Sequence, residues 1–379
     1  MKIKDIKTYI VSQKLDNNTR FCYSQAWYNS RTIMILEIIC DDGIIGWGEA
    51  FGNSFINQSV VENVYKPYLI GKNPFDSEKH WDDLYNMLRD NGQKGSCIEA
   101  LSAIDNALWD IKGKYTHLPV YTLLGGARRD KIMPYATGLY RNSLDQDPKD
   151  LVREALRYKE AGFRAIKTKI GFGIKEDIKL VEQLRLALGD EIELMVDANH
   201  AYNSMSAIKV ARGIEKFNIA WFEEPVPPED IEGYKEVRAN TIIPISGGEA
   251  EFTQYGFNNF INNRCVDILQ PDCCVTGGLS AFRRITTLAK IANIQVYPHV
   301  WGSAIAVAVG INACFYQPNY PEALVTPKVY FELDRTENIF REELNLDKLQ
   351  IDDGYIYKKE VEGLGFNINR KLIEKYQIG

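Results

Sequence analysis

From about residue 131 onward the chain alternates short apolar runs with amphipathic stretches. The runs are KIMPYATG, AIKTKIG, ELMVDAN, AWFEEP, IPISGGE, VDILQPD, IQVYPHV and KVYFELD. Helical patterns lie between most of them, for example DPKDLVREALRYKEAG and EDIKLVEQLRLALG. Short apolar runs bounded by turn signals read as buried strands. Eight of them with helical crossovers predict a closed parallel barrel. Residues 333–379 look irregular and rich in turns, so the last helix is missing or degraded. The expected architecture is therefore a modified (β/α)7β TIM-type barrel over 126–332, with 333–379 as a separate C-terminal segment. The first 125 residues have another texture. KIKDIKTYIV, RTIMILEIIC and IIGWGEA read as strands, with the turn DDG before the third. SEKHWDDLYNMLRD and SCIEALSAIDNALWDIKGK read as amphipathic helices, and Ile98, Leu101, Ile104, Leu108 and Ile111 share one face of the second. This part is an α+β domain.

Composition narrows the classes of function. The chain has 379 residues, 45% hydrophobic and 25% charged, which is ordinary globular composition and long for one domain. No apolar run has the length of a bilayer span, and MKIKDIKTYI lacks the apolar core of a signal peptide. The seven cysteines, at 22, 40, 97, 265, 273, 274 and 314, show no CxxC spacing and read as reduced thiols of a cytoplasmic protein. The net charge of −6 comes with no basic cluster. Nucleic acid and membrane are therefore not expected partners.

The chemistry gathers at the C-terminal ends of the runs. Lys167 and Lys169, Asp197 and Asn199, Glu223, Glu249, Asp272, His299 and Glu332 follow one another there. From Lys169 on, successive groups are 23 to 33 residues apart, the length of one strand–helix unit. In a β/α barrel those ends form the mouth of the active site. Asp197, Glu223 and Glu249 come from three successive strands and offer hard oxygen ligands with no thiolate or clustered histidine, a set that suits Mg²⁺. Asp272 beside His299 would fix the ring tautomer and raise its basicity. Lys167 and Lys169 are two apart on a strand and must point the same way. Two adjacent ammonium groups disfavour each other's charge, so one lysine is expected to titrate low enough to act as a base, while the other holds a developing negative oxygen. Glu224 should point away from Glu223, into the helix layer. A lysine base, a His–Asp base and Mg²⁺ between them make a site for removing the proton α to a carboxylate, with the metal stabilising the enediolate.

KTK at 167–169, VDAN at 196–199, WFEEP at 221–225, GGE at 247–249, QPD at 270–272 and PH at 298–299 together resemble the enolase superfamily, mandelate racemase subgroup. The resemblance covers essentially the whole chain. It implies that residues 1–125 form a capping domain and that 333–379 return to it. It implies Lys169 as one base, Lys167 as the electrophilic partner, His299–Asp272 as the opposite dyad, and Glu332 as an acid that hydrogen-bonds the enediolate. KIGFG, DANHAY, WFEEPVPPE, DILQPD, PHVWGS and FELDRTENIFR most resemble the galactarolactone cycloisomerases, which open a sugar-diacid lactone by β-elimination. The substrate is then a small sugar acid or lactone, and the protein is expected to be a homo-oligomer. The same enediolate expels hydroxide in a sugar-acid dehydratase or is reprotonated in a racemase. A dipeptide epimerase would place a lysine where His299 stands. A non-catalytic sugar-acid-binding barrel would have lost a carboxylate or both bases. Specificity is expected in the loops Asp16–Ser30 and Phe51–Gln58, with Trp27, Tyr28 and Phe55 closing over substrate. Asn199, His200 and Trp301 are the candidate contacts at the strand ends.

Overall fold

A computed structural model describes residues 1–378. The N-terminal sheet is antiparallel. β1 (Ile3–Lys14) carries at its end a small hairpin, β2 (Phe21–Cys22) with β3 (Trp27–Tyr28). β4 (Ser30–Cys40) and β5 (Ile45–Ala50) complete the order β1-β4-β5. The long helix Ser96–Thr116 lies against β5. Gly46 and Gly48 make that close approach possible: a Cβ at Gly48 would stand 1.9 Å from the Ala103 carbonyl oxygen, and one at Gly46 2.2 Å from that of Ala107.

The eight apolar runs form eight parallel strands. They are β6 (Lys131–Thr137), β7 (Ala165–Lys169), β8 (Glu193–Asp197), β9 (Ile219–Glu223), β10 (Ile245–Gly247), β11 (Ile268–Leu269), β12 (Gln295–Val296) and β13 (Tyr330–Asp334). The order β12-β11-β10-β9-β8-β7-β6-β13 brings the eighth strand beside the first. The boundary expected at 332 cuts β13, because Leu333 and Asp334 continue the register opposite Ala136 and Thr137. The segment after it also serves the barrel: β14 (Ile356–Tyr357) pairs antiparallel with β6. The chain then reaches the N-terminal sheet, where helix Arg370–Tyr376 packs on β1 and Arg370 pairs with Glu37.

The N-terminal domain is pinned over the ends of β11 and β12 by polar contacts. Asp105 accepts from the Ser280 amide at 2.8 Å, at the start of helix Gly278–Ala292. Glu49 accepts from the Ser303 amide at 3.0 Å, just before helix Ala304–Tyr316. Asn106 donates to the Cys273 carbonyl at 2.8 Å and accepts from the Leu279 amide at 3.0 Å. Each satisfies backbone groups that the barrel helices leave unpaired at their ends. The capping domain is thus held against the strand ends that carry the catalytic candidates. No helix among the described residues is long and apolar enough to cross a membrane.

Candidate active site

The strand ends bring the charged residues of seven strands into one buried cluster. Lys167 is 1% and Lys169 6% exposed. Lys169 Nζ lies 2.5 Å from Asp197 Oδ2. Lys167 Nζ lies 2.6 Å from Glu223 Oε1 and 2.8 Å from Glu332 Oε1. On the far side, His299 Nδ1 is 2.7 Å from Asp272 Oδ2, and Nε2 is 3.7 Å from Glu249 Oε2 and 3.9 Å from Glu332 Oε2. Four strands separate β7 from β12 in the sheet, so the lysine and the histidine approach the cluster from opposite walls.

Asp197, Glu223 and Glu249 each offer an oxygen, and the three lie within 4.8 Å of one another. Glu249 Oε2 is buried without a hydrogen-bond partner. Burial, then the neighbouring Glu224, Asp197 and Glu223, push the Glu249 carboxyl well above its ordinary range. A buried oxygen with too many acids around it and no donor is what a divalent cation would relieve, and the donor set is all hard oxygen. The residues present therefore fit the group that the sequence implies.

The lysine expectation needs correction. Burial pulls both ammonium groups down, but carboxylates outweigh it, Glu223 and Glu332 for Lys167 and Asp197 for Lys169. Both lysines are held well above the usual range, and the neighbouring ammonium is a minor influence on Lys169. For His299 burial is again opposed, by Glu249, Glu332 and Asp272, and the ring rises to about 10. Glu224 also departs from expectation. Its backbone turns into the left-handed region at φ +43°, which ends the strand's alternation. It stays at the strand ends, with Oε2 3.0 Å from His200 Nδ1, instead of entering the helix layer.

Several partners were not legible as functional in the sequence. Trp221 Nε1 and Gln270 Nε2 donate to Glu223 Oε2 at 3.1 and 2.6 Å. Each sits two residues before a catalytic candidate, Glu223 and Asp272, so strand periodicity was the available signal. Thr137 donates to Glu332 Oε1 at 2.5 Å, and the Val300 amide donates to its Oε2 at 3.0 Å. Asn199 Nδ2 reaches Glu249 Oε1 at 3.4 Å.

An aromatic wall stands beside the cluster. Trp301 lies 4.8 Å from Tyr28 and 6.0 Å from Phe51, centroid to centroid, and Phe51 meets the His299 ring edge-on at 6.2 Å. Phe21, Tyr23 and Tyr140 extend the wall, and Lys169 Nζ is 5.1 Å from the Tyr140 ring. Of the loop aromatics singled out in the sequence, Tyr28 joins this wall. Trp27, its neighbour in β3, points the other way, is 39% exposed and stacks with Arg20. Phe55 is 58% exposed on the helix that follows β5.

Comparison with known proteins places this geometry. Residues 5–125 match the mandelate racemase / muconate lactonizing enzyme N-terminal domain, and residues 150–372 match the family described as enolase C-terminal domain-like. D-galactarolactone cycloisomerase of Agrobacterium fabrum is 38% identical over 378 residues, covering 100% of this chain and 99% of that protein. The crystal structure of 3,6-anhydro-D-galactonate cycloisomerase from Zobellia galactanivorans superposes with a TM-score of 0.91 at 42% identity, over 100% of both chains. A variant of L-talarate/galactarate dehydratase, solved with Mg and L-glucarate, superposes with a TM-score of 0.88 at 28% identity, over 100% of this chain and 92% of that one. With both domains matched and full-length relatives of this similarity, the chain belongs to the enolase superfamily, in its mandelate racemase subgroup.

Proposed function

We propose that this protein removes the proton α to the carboxylate of a cyclic sugar acid and opens the ring by β-elimination. The observation that carries the reading is the placement of Lys169 and the His299–Asp272 dyad on opposite walls of the three-carboxylate cluster. Asp197, Glu223 and Glu249 would hold Mg²⁺. When bound, that ion would supply positive charge to the developing anion and would offset the charge of Asp197 and Glu249 that raises Lys169 and His299. Lys167, charged and buried among Glu223 and Glu332, would supply a second fixed positive charge to the same developing anion. Asp272 orients His299 so that Nε2 faces the cluster. Trp221 and Gln270 hold one oxygen of Glu223 and so direct the other, which Lys167 also contacts at 2.6 Å, toward the cluster.

In the proposed step the α C–H bond breaks and its proton passes to the neutral form of Lys169 or His299. The electron pair moves into the enediolate, then expels the oxygen on the β-carbon. The resulting enol takes a proton at that carbon and becomes a 2-keto, 3-deoxy acid. In galactaro- or glucaro-lactone the leaving oxygen belongs to the ring carboxylate, and the product is an open 3-deoxy-2-keto-hexarate of unchanged mass. The 42% identity to an anhydrogalactonate cycloisomerase supports a second substrate, in which the leaving oxygen is a ring ether. In an open-chain sugar acid it is hydroxide, and the enzyme is a dehydratase; the dehydratase relative supports that alternative. Tyr28, Trp301, Asn199 and His200 are the proposed substrate contacts.

A panel of galactaro-lactone, glucaro-lactone, 3,6-anhydrogalactonate, galactarate and aldonates, incubated with Mg²⁺ and read by mass spectrometry, tests the reading. A ring-opened product of unchanged mass supports the cycloisomerase. Loss of one water establishes the dehydratase instead. No product and no α-proton exchange with any member overturns both. The proposed homo-oligomer is checked by light scattering on the same preparation.

A further inference from the structure

Arg31 is a cap residue on β4, yet its side chain is 4% exposed and ends inside the barrel mouth. Its guanidinium carbon lies 3.8 Å from the centroid of the Trp301 ring and 5.0 Å from that of Phe21. Nη2 binds Asp334 Oδ2 at 2.5 Å and also the Thr336 hydroxyl, and Nε donates to the Glu337 carbonyl at 3.3 Å. Asp334 is two residues beyond Glu332 on β13 and is also held by Arg341 at 2.6 Å. Trp301 is two residues beyond His299. Its backbone is fixed on both sides by the last barrel strand and the loop after it: Glu332 accepts from the Val300 amide at 3.0 Å, and Asn338 donates to the Gly302 carbonyl at 3.2 Å. The indole itself is 9% exposed, and its Nε1–H has no hydrogen-bond partner. A buried N–H without a partner beside a substrate site is a donor held ready for a ligand.

We propose that Arg31 is a positioning residue for the substrate site: from the capping sheet it clamps the Trp301 indole and the Asp334 carboxylate together, and so fixes the direction of the unpartnered Trp301 Nε1–H. Packing alone would be served by a methionine of similar length. The guanidinium adds two things that methionine lacks, a flat face that stacks on the indole and a fork that bonds Asp334 at the same time. It also ties the capping sheet to the barrel strands, because one side chain touches Phe21 of the cap hairpin, Trp301 after β12 and Asp334 at the end of β13. The proposal rests on the reading of the site given above.

The test separates the two. The protein is labelled with 5-fluorotryptophan, and the Trp301 line in its fluorine spectrum is assigned from Trp301→Phe. Arg31→Met should displace that line and leave those of Trp81 and Trp109 in place. With the substrate identified by the panel, Arg31→Met should raise KM about tenfold and change kcat less than about threefold, the pattern of lost binding and not of lost chemistry. Arg31→Lys keeps the charge on Asp334 but loses the flat stack, so it should fall between wild type and Arg31→Met; it carries the same test should Arg31→Met not fold. An unmoved Trp301 line, or a kcat loss at constant KM, overturns the positioning role. The fluorine spectrum needs no substrate, so its failure counts against Arg31 alone, whereas silence across the whole panel counts against the proposed reaction alone.

Discussion

Replacing Asp272 by asparagine tests the dyad with almost no change of shape. Asp272 Oδ2 faces His299 Nδ1 at 2.7 Å, and Oδ1 accepts from the Cys274 amide at 2.6 Å. The backbone N–H of Cys274 can only donate, so the asparagine must keep its oxygen there. Its NH₂ then faces His299 Nδ1, which must become an acceptor. The ring proton moves to Nε2, the nitrogen that lies 3.7 Å from Glu249 and 3.9 Å from Glu332. In that tautomer Nε2 has no lone pair with which to take a proton. The same trap in a Ser-His-Asp site costs roughly 10⁴ in kcat, or about 5.5 kcal/mol of transition-state stabilisation. A comparable loss is expected here at saturating substrate, measured by the appearance of 2-keto product, with a thermal melt showing that the variant is folded. A folded Asp272→Asn protein that retained kcat within about tenfold of wild type would refute the tautomer argument, and with it the histidine's role as a base.

Lys169→Ala and His299→Asn should each lower turnover by roughly 10²–10⁴ or more, the usual scale of a positioned acid–base group; near wild-type rates in both would contradict the two-base site. Glu223→Gln should weaken Mg²⁺ binding to stripped protein by more than the roughly 10–100-fold that losing an outer partner of a metal site costs. Calorimetric titration measures this, and unchanged affinity would remove Glu223 from the ligand set. Stability should depend on pH through Asp105, whose carboxyl burial pushes up from 3.8 to about 6. The folded state keeps a proton that the unfolded chain releases first, so the group's contribution is fully present below about pH 4 and is lost as pH rises through about 6. Asp105→Asn should abolish that component, so the stability of wild type relative to the variant should fall by up to about 3 kcal/mol between pH 4 and 7. Parallel melts that keep a constant difference would show that Asp105 does not titrate in this window.

The sequence by itself determined the barrel and the order of its candidate catalytic groups. Both depend on local rules: a strand alternates its faces every two residues, and a strand–helix unit has a limited length. That is why Lys167, Lys169, Asp197, Glu223, Glu249, Asp272, His299 and Glu332 could be placed at the strand ends from spacing, and why all of them meet in one cluster. The same local rule failed at Glu224, because a left-handed residue just past the strand breaks the alternation. The charge states of the lysines were decided only by tertiary structure. The sequence places two ammonium groups side by side, but the balance at each depends on carboxylates from other strands, 28 to 165 residues away. The aromatic wall was likewise settled in three dimensions. Tyr28 and Trp301, or Arg31 and Asp334, carry no mutual signal along the chain. They meet because the capping sheet is fixed over the barrel by contacts such as Asp105–Ser280 and Glu49–Ser303. Periodicity reports which face a residue takes within its own element, and the docking of one element on another is set by packing and buried hydrogen bonds that link distant residues.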